Sequence, residues 1–279
     1  MQQLGDIVDA GIDYLSMTMP NDNPHIISWR SGATAYLHEI AATGIEITES
    51  RRLGYYGQSV DGSFVGERER DTIAVYSGER AKAAFPRLYR PDVHVSRLDV
   101  QVSFRYDVST ANVAEIARAQ VKQSNRTISS ARHRNATLIE DLRGGATCYI
   151  GTRKSEQFAR IYNKDAESGD KRYENVWRYE VQLKNKYASK LAEQFTSNTY
   201  SPPMHATVFV KQWLKHRGVS TPWMAMAELL PLPTITKQPT QLEEKLMWLQ
   251  TIVRPSIRVL LKYGLRDAIL EALGLDDLD

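Results

Sequence analysis

Hydrophobic and polar residues alternate along much of the first two-thirds of the chain, with the period of two that predicts β-strands. Residues 93–104, VHVSRLDVQVSF, are the clearest example, and residues 11–19 form another β-rich segment that ends at Pro20. A further strand is predicted over 174–186. A sheet with one buried face and one face in water produces this alternation, so we expect the polar sides of these strands to be solvated.

Two hairpins are predicted from turn residues that lie between alternating segments. Residues 53–81 form a hairpin or meander, with Asp61-Gly62 as its tight turn and Gly66 as a bulge position. Residues 146–164 form the second hairpin.

The second hairpin predicts a specific register. With the turn centred on Arg153–Glu156, Tyr162 lies opposite Thr147 and Arg160 lies opposite Tyr149. In the returning strand, FARIYNK, alternation places Phe158, Arg160, Tyr162 and Lys164 on one face. One phenol is therefore flanked by two cations.

Helical periodicity is sparse at first and dominates the last third of the chain. Short helices are predicted over 34–43 and 110–124, and the pattern is helical from about residue 187. We therefore predict the α+β class, with a mainly antiparallel curved sheet flanked by helices over 1–186 and a helical C-terminal region over 187–279.

The composition of the 279 residues, 42% hydrophobic and 25% charged, is ordinary for a globular protein. No apolar run is long enough to span a membrane, and the N-terminus lacks the pattern of an export signal. The single cysteine, Cys148, excludes an internal disulfide framework and a cysteine-rich zinc site. We expect a cytoplasmic protein.

Positive charge is concentrated in one part of the chain. Residues 111–190 hold 16 Lys and Arg against 9 Asp and Glu, although the whole chain carries only +3. Within it, 121–135 contains no acid and four cations, Lys122, Arg126, Arg132 and Arg134. Either this is a solvated loop, or these residues contact the phosphate backbone of a nucleic acid.

The polar sides of the three best strands carry arginines together with acids or a phenol. The groups are Arg97, Asp99, Gln101 and Ser103; Arg160, Tyr162 and Lys164; and Arg178, Glu180, Gln182 and Lys184. Alternation alone explains polar residues at these positions. It does not explain why they are arginines and acids in the middle of strands.

Cleavage of a phosphodiester by tyrosine requires such groups. A phenol, with a pKa of about 10, is a poor nucleophile at neutral pH until its phenolate is stabilised. Cations such as Arg160, Lys164 and Arg178 can offset the charge that grows on the phosphate oxygens. Asp99 and Glu180 offer the hard oxygen ligands that Mg²⁺ or Mn²⁺ prefers. Tyr149 is the alternative nucleophile.

Each of these residues also has an ordinary structural explanation. Asp99 is consistent with a surface acid, Glu180 with an exposed ion pair to Arg178 or Lys184, and Tyr162 with a cross-strand aromatic partner. Only their joint occurrence favours a functional site.

Several motifs together resemble the replication initiation factor family, whose members include rolling-circle plasmid initiators and relatives in filamentous phages and integrative conjugative elements. The motifs are RLDV, CYIGTRKSEQFARIYNKDAE and WRYEVQLK, preceded by IDYLSMT and GYYGQSVDGSFVGER. The C-terminal sequence LMWLQTIVRPSIRVLLKYG is also similar to the family's helical ending.

This resemblance implies a strand-specific DNA nickase. Tyr162 would attack the scissile phosphate, keep a 5′-phosphotyrosyl link and free a 3′-OH that primes synthesis. Asp99, Glu180 and, by a weaker match, Glu156 would be ligands of Mg²⁺ or Mn²⁺. The partners implied are origin DNA, a second copy of the chain in a homodimer, and a host helicase.

The DNA contacts expected on the strand faces and turns are Arg97, Gln101, Arg153 and Lys154. The six histidines include no His-hydrophobic-His pair, which argues against the class of nickases that bind their metal with paired histidines. No Walker lysine loop is present, which argues against a helicase motor within this chain. Two alternatives remain open: a conjugative relaxase with the same chemistry, and a protein that binds nucleic acid without cleaving it.

Overall fold

The computed structural model describes residues 7–21, 25–69, 71–105, 136–140, 145–197, 201–217, 219, 257, 261–266 and 268. The chain divides into two compact units, residues 1–233 and 234–279. The predicted helix over 110–124 lies outside the described residues, as does most of the second unit.

The first unit contains an antiparallel sheet in which ten strands are described. The strands are β1 Ile7–Pro20, β2 Thr48–Arg52, β3 Tyr55–Val60, β4 Ser63–Glu67, β5 Asp71–Ser77, β6 His94–Arg105, β7 Ala136–Glu140, β8 Ala146–Ile150, β9 Gln157–Asn163 and β10 Val176–Lys184. Their order across the sheet is β2-β3-β4-β5-β1-β6-β10-β9-β8-β7.

Five α-helices are described alongside the sheet. They are α1 His25–Ala41, α2 Glu79–Leu88, α3 Lys164–Ser168, α4 Asn185–Ser197 and α5 Pro202–Lys215, with a short 3₁₀ turn at Lys171–Tyr173. The α+β class and the mainly antiparallel sheet are confirmed. Among these helices, none combines the length and the apolar character that crossing a membrane requires.

Helices α4 and α5 pack against the apolar face of the sheet. That face is built from buried residues of β6, β10 and β9 such as Leu98, Val100, Val181 and Ile161. The contact is fixed at its ends by polar bonds, for example from Ser189 Oγ to the carbonyl of Val95 at 3.2 Å. Both helices belong to the first unit, and the boundary at residue 187 between a sheet region and a helical C-terminal region stays a prediction.

Helix α1 is longer than the 34–43 segment that the sequence predicted. Its first half contains Ile26, Ile27 and Trp29, which favour strands, and Gly32, which weakens a helix. Tertiary packing of the second half, where Ala33 and Leu37 are fully buried, overrides those local preferences.

The predicted meander over 53–81 is present, and its turn is the expected one. Asp61 and Gly62 both have positive φ, 41° and 78°, as a two-residue turn between twisted strands requires.

The prediction of a bulge at Gly66 is wrong, because pairing continues without a shift from Gly57 through Gly66 to Ile73. The glycines are needed there for close approach. A Cβ on Gly57 would lie 1.9 Å from the Val65 carbonyl oxygen, and one on Gly66 would lie 2.4 Å from Cζ of Phe64.

The register of the second hairpin is confirmed, since Thr147 pairs with Tyr162 and Tyr149 pairs with Arg160.

The polar face of the central strands is buried, contrary to the expectation that it meets water. Asp99, Gln101, Ser103, Arg178 and Glu180 are each at most 4% exposed. Alternation is the same whether a polar face meets water or a buried network, so the pattern could not distinguish the two. Burial is tolerated here because these side chains pair with one another.

Candidate active site

Four neighbouring strands, β1, β6, β10 and β9, bring the candidate residues together on the polar face. Tyr162 on β9 pairs with Arg178 on β10, and Arg160 pairs with Glu180. Asp99 on β6 lies opposite Gln182, two positions along β10 from Glu180. Such diagonal neighbours on one face have Cα atoms about 7–8 Å apart, within reach of long side chains.

Tyr162 is buried, with its ring beside two cations. Its hydroxyl donates to Oε2 of Glu180 at 3.3 Å. Arg160 Cζ lies 5.0 Å and Lys164 Nζ lies 6.0 Å from the ring centroid. Burial and the charge of Glu180 raise the pKa of Tyr162, while Arg178 and Arg160 act in the opposite direction. The phenol is therefore held neutral, next to a group that can take its proton.

The two predicted metal ligands, Asp99 and Glu180, are both almost fully buried. Burial is the largest cause of a raised pKa in each. For Glu180, the charges of Asp99 and Asp13 raise the pKa further, and Arg160 opposes them. Two acids thus share a site where a second negative charge is costly.

Each acid is held by an arginine. Arg160 Nη2 lies 2.8 Å from Oε1 of Glu180. Arg97 Nε donates to Oδ1 of Asp99 at 2.9 Å, and its Nη2 contacts the other carboxylate oxygen. The Arg160 Nε atom is buried and has no hydrogen-bond partner among the described residues, which leaves one donor available to a ligand.

Asp13 is a member of this cluster that the sequence analysis missed. Between Ile12, opposite Val100, and Tyr14, opposite Asp99, the register of β1 shifts by one residue. This bulge brings Asp13 and Tyr14 to the same side of the sheet as Asp99. A lone acid in the β-rich segment GIDYLSM was the available signal, but strict alternation does not anticipate two consecutive residues on one face.

Arg178 occupies the centre of a buried polar network. Its Nη1 donates to Oδ1 of Asp13 at 2.8 Å, and its Nε donates to Oγ of Ser103 at 3.0 Å. Ser103 donates to Gln101 at 2.8 Å, and Gln101 donates to Asp9 at 2.7 Å. The guanidinium is thereby fixed opposite Tyr162. Gln101 is fully buried in this network, and its expected role in DNA contact stays a prediction.

A second chain of contacts leads from Asp99 toward the edge of the sheet. The Arg97 guanidinium carbon lies 4.1 Å above the ring of Tyr14, and Arg52 donates to the Tyr14 hydroxyl at 2.7 Å. Arg97 is about one-third exposed, so its position remains compatible with a contact to a ligand.

The residues of the turn between β8 and β9 lie apart from the acids Asp13, Asp99 and Glu180. Glu156 is exposed, and its carboxylate accepts from Asn185 Nδ2 at 3.4 Å. Arg153 donates to the Tyr149 hydroxyl at 2.7 Å, and Lys154 is exposed. No described contact joins Glu156 to Asp99 or Glu180. The predicted DNA contacts Lys122, Arg126, Arg132 and Arg134 lie outside the described residues.

The model of the replication initiation factor family matches residues 93–273, which include Asp99, Tyr162 and Glu180. This chain belongs to that family. The resemblance seen in the sequence motifs is therefore confirmed from residue 93 onward, while the motifs before it lie outside the match.

A solved structure of a rolling circle replication initiator protein from Geobacillus stearothermophilus is similar to this replication initiation factor. The TM-score is 0.57 at 16% identity, covering 83% of this chain and 99% of that one. At this identity the likeness shows a shared fold. No curated protein matches the chain.

The carboxylates of Asp13, Asp99 and Glu180 suit a divalent cation, because they offer oxygen ligands and carry negative charge. Asp99 and Glu180 are buried with raised pKa values, chiefly because of burial, the charge of Asp13 adds to the rise in both, and hard cations take carboxylate oxygens. In the described residues, however, no three such side chains are already arranged as metal ligands, since arginines hold their oxygens. Binding a cation would require these ion pairs to loosen.

A cleft of about 270 Å³ lies on the other side of Tyr162 from the acids. It is lined by residues of β8, β9 and α3, among them Thr147, Tyr149, Arg160, Tyr162, Asn163 and Glu167. Tyr162 therefore stands between a buried acid cluster and an open cleft.

Proposed function

We propose that this replication initiation factor starts rolling-circle replication by nicking one DNA strand at an origin, with Tyr162 as the nucleophile. The hydrogen bond from the Tyr162 hydroxyl to Glu180 carries the proposal, because it joins a phenol to a proton acceptor inside a cluster of cations. Family membership supports the same activity.

The reaction is an exchange of phosphate esters. As the Tyr162 oxygen forms its bond to phosphorus, the phenolic proton passes to Oε2 of Glu180, and the bond from phosphorus to the 3′ oxygen breaks. The departing 3′ oxygen takes up a proton and becomes the 3′-OH primer end. The phosphate remains on Tyr162 as a 5′-phosphotyrosyl ester. Since one ester replaces another, the reverse reaction can reseal the strand.

Arginines on both sides of Tyr162 are suited to stabilise the reacting phosphate. Arg178 lies opposite Tyr162 and is fixed by Asp13 and Ser103, so it is oriented before the substrate arrives. Arg160 has a buried Nε donor without a partner in the described part of the chain. Fixed donors that meet developing charge contribute more than mobile ones.

Lys164 has a weaker claim to a catalytic role. Its ammonium group lies near the Tyr162 ring but is paired with Glu167. It adds positive potential next to the phosphate without a direct bond to the phenol.

We also propose that Asp99 and Glu180 hold Mg²⁺ or Mn²⁺ when DNA is bound, while Asp13 keeps its bond to Arg178 and adds negative charge nearby. Such an ion offsets charge on the phosphate and on the phenolate. The buried acids favour this role because a cation would offset the burial and the repulsion that raise their pKa values. Glu156 is the least favoured ligand, since it lies in the exposed turn.

Origin DNA is the partner that this chemistry requires. The homodimer and the host helicase stay predictions, as does a role for residues 187–279 in contacting origin DNA or a partner. A conjugative relaxase would use the same residues, and the identity of the DNA that is nicked would distinguish the two.

The experiment compares the wild-type chain with Tyr162→Phe on a supercoiled plasmid carrying the origin, with Mg²⁺ or Mn²⁺ present. We expect the wild type to nick the plasmid and to remain covalently attached, and the variant to bind DNA without forming the adduct. An adduct formed by Tyr162→Phe would exclude Tyr162 as the nucleophile. A wild type that binds but never forms an adduct would favour the binding-only alternative.

A further inference from the structure

The cleft beside Tyr162 lies where a substrate strand must pass. Tyr162 lines it, and on the opposite side of Tyr162 the residues Glu180, Asp99 and Arg178 are each at most 4% exposed. A DNA phosphate can therefore reach the Tyr162 oxygen more easily from the cleft than from the side of the buried acids. The cleft volume, about 270 Å³, is at the small end of ligand pockets, about 300–1,000 Å³, and suits one nucleotide rather than a duplex.

One wall of the cleft is an aromatic ring whose orientation is fixed. Tyr149 lies on β8, and its ring is stacked with that of Phe158 at 6.2 Å between centroids and 17° between planes. Arg153 lies 4.9 Å from the Tyr149 ring centroid and donates to its hydroxyl at 2.7 Å. Phe158 thus holds the orientation of the ring, and a base that stacks on Tyr149 takes the place of the Arg153 guanidinium over the ring.

The position of Tyr149 argues against its alternative role as a nucleophile. Tyr149 pairs with Arg160, which pairs with Glu180, so two strand spacings, about 9–10 Å, separate Tyr149 from that acid. The hydroxyl is instead occupied by the Arg153 guanidinium. Tyr162, one strand from Glu180, already bonds to it.

The opposite side of the cleft supplies polar groups. Arg160 lines the cleft, and its Nε donor is buried without a hydrogen-bond partner in the described part of the chain, which leaves it to bond a phosphate or a base acceptor once the substrate enters. Glu167, at the α3 side, is about half exposed; its Oε2 is paired with Lys164, and its Oε1 is the oxygen that can accept a bond from a base. An aromatic wall, a free donor and an acceptor together are the groups that hold an unstacked base.

We propose that this cleft binds one nucleotide of the cleaved single strand, immediately beside the scissile phosphate, with its base stacked against Tyr149. Tyr149 is then a positioning residue for the substrate, and the cleft contributes to the choice of nicking site. This inference rests on the proposed nicking function and adds to it a subsite for a single unpaired base.

The test begins with a single-stranded oligonucleotide selected from a random pool for covalent capture by the wild-type chain with Mn²⁺. The rate of capture at low DNA concentration is measured for the intact oligonucleotide and for versions abasic at each position flanking the scissile phosphate. The variants are Tyr149→Leu and Tyr149→Phe. The matched control is Tyr56→Leu, because Tyr56 is also paired with an arginine, Arg51, but lies on the other face of the sheet, on β3.

With intact DNA we expect Tyr149→Leu to slow capture about 5- to 150-fold, the usual effect of losing one base stack, and Tyr149→Phe to recover most of the rate. At one flanking position, the abasic substitution should slow the wild type by a similar factor and leave Tyr149→Leu no slower than before. Tyr56→Leu should respond to the abasic substitutions as the wild type does.

The proposal is overturned if Tyr149→Leu slows capture equally on intact and abasic DNA at both positions, or if Tyr149→Phe is as slow as Tyr149→Leu. A second measurement needs no change at Tyr149. The Tyr162→Phe chain is bound to oligonucleotides that carry the fluorescent base 2-aminopurine at one or the other flanking position. Stacking should quench the fluorescence at one of these positions. The absence of quenching at both would also overturn the proposal. Failure of the wild type to form any adduct would instead contradict the nicking function itself.

Discussion

On the polar-face side of the sheet, β1 and the β3–β5 meander contribute an apolar cluster, whereas β6, β10 and β9 contribute charges. The cluster consists of Tyr55, Phe64, Ile73 and Val75, with Tyr14 packed against it. A few strands away, the same side carries Asp99, Glu180, Arg178 and the other site residues, and these are equally buried. Tyr14 contacts both regions, since Arg97 covers its ring.

The difference shows which region stabilises the fold and which is kept for chemistry. Apolar burial contributes roughly 25 cal/mol per Å². Buried ion pairs offset their own desolvation only in part, and well-packed apolar residues in their place are often as stable or more so. A buried cluster of acids, arginines and a phenol is therefore poorly explained by stability. Substitutions in the two regions should have opposite signatures.

The largest effect on activity is expected from Glu180→Gln in the charged region. Glutamine keeps the size of the side chain but can neither take the phenolic proton nor offer a charged ligand to the proposed cation, so nicking should fall about 100- to 10,000-fold. Nicking kinetics on origin plasmid measure this, with DNA binding followed in parallel. Nicking within tenfold of the wild type would show that Glu180 does not act on Tyr162.

The corresponding change in the apolar region is Phe64→Ala. Phe64 is 1% exposed and packs against Gly66, so its truncation should lower the free energy of unfolding by about 3–5 kcal/mol. Urea denaturation measures the loss. Nicking per folded molecule should stay close to that of the wild type, and a selective loss of nicking without destabilisation would remove the distinction between the regions.

The smallest expected effect is a pH-dependent stability difference. Glu180 has a raised pKa in the folded state, chiefly through burial, so the folded chain binds more protons than the unfolded chain as pH rises from about 4.5 toward neutrality. Its contribution to stability is therefore lost over that range.

Glu180→Gln lacks this titration. Its free energy of unfolding, relative to that of the wild type, should therefore increase between about pH 5 and pH 7. These two pH values lie near the ordinary pKa of a glutamate and near the raised pKa of Glu180, about 7. Denaturation at the two pH values measures the trend. A relative stability that decreases with pH would mean that Arg160 holds Glu180 ionised in the folded chain.

Parts of this site could be predicted from the sequence because strand alternation and turn position determine them. The pairing of Tyr162 with Thr147 follows from the length of the 146–164 hairpin, and the shared face of Arg160 and Tyr162 follows from parity. The membership of the family followed from motifs that lie within residues 93–273.

Other parts depend on interactions between distant segments. Asp13 joins the site through a bulge set by the pairing of β1 with β6, about 90 residues away in sequence. The burial of Asp99 and Glu180 depends on partners from other strands, and alternation gives the same pattern for a solvated face. The close approach at Gly57 and Gly66 is likewise a property of the paired strands.

The most direct test of the central claim is to locate the DNA on the protein. The wild-type adduct is formed on origin DNA, trimmed with nuclease and digested with trypsin, and the modified peptide is identified by mass spectrometry. We predict that the nucleotide remnant lies on the peptide 161–164, IYNK, which contains Tyr162. A remnant on the peptide 144–153, GGATCYIGTR, which contains Tyr149, would contradict the account.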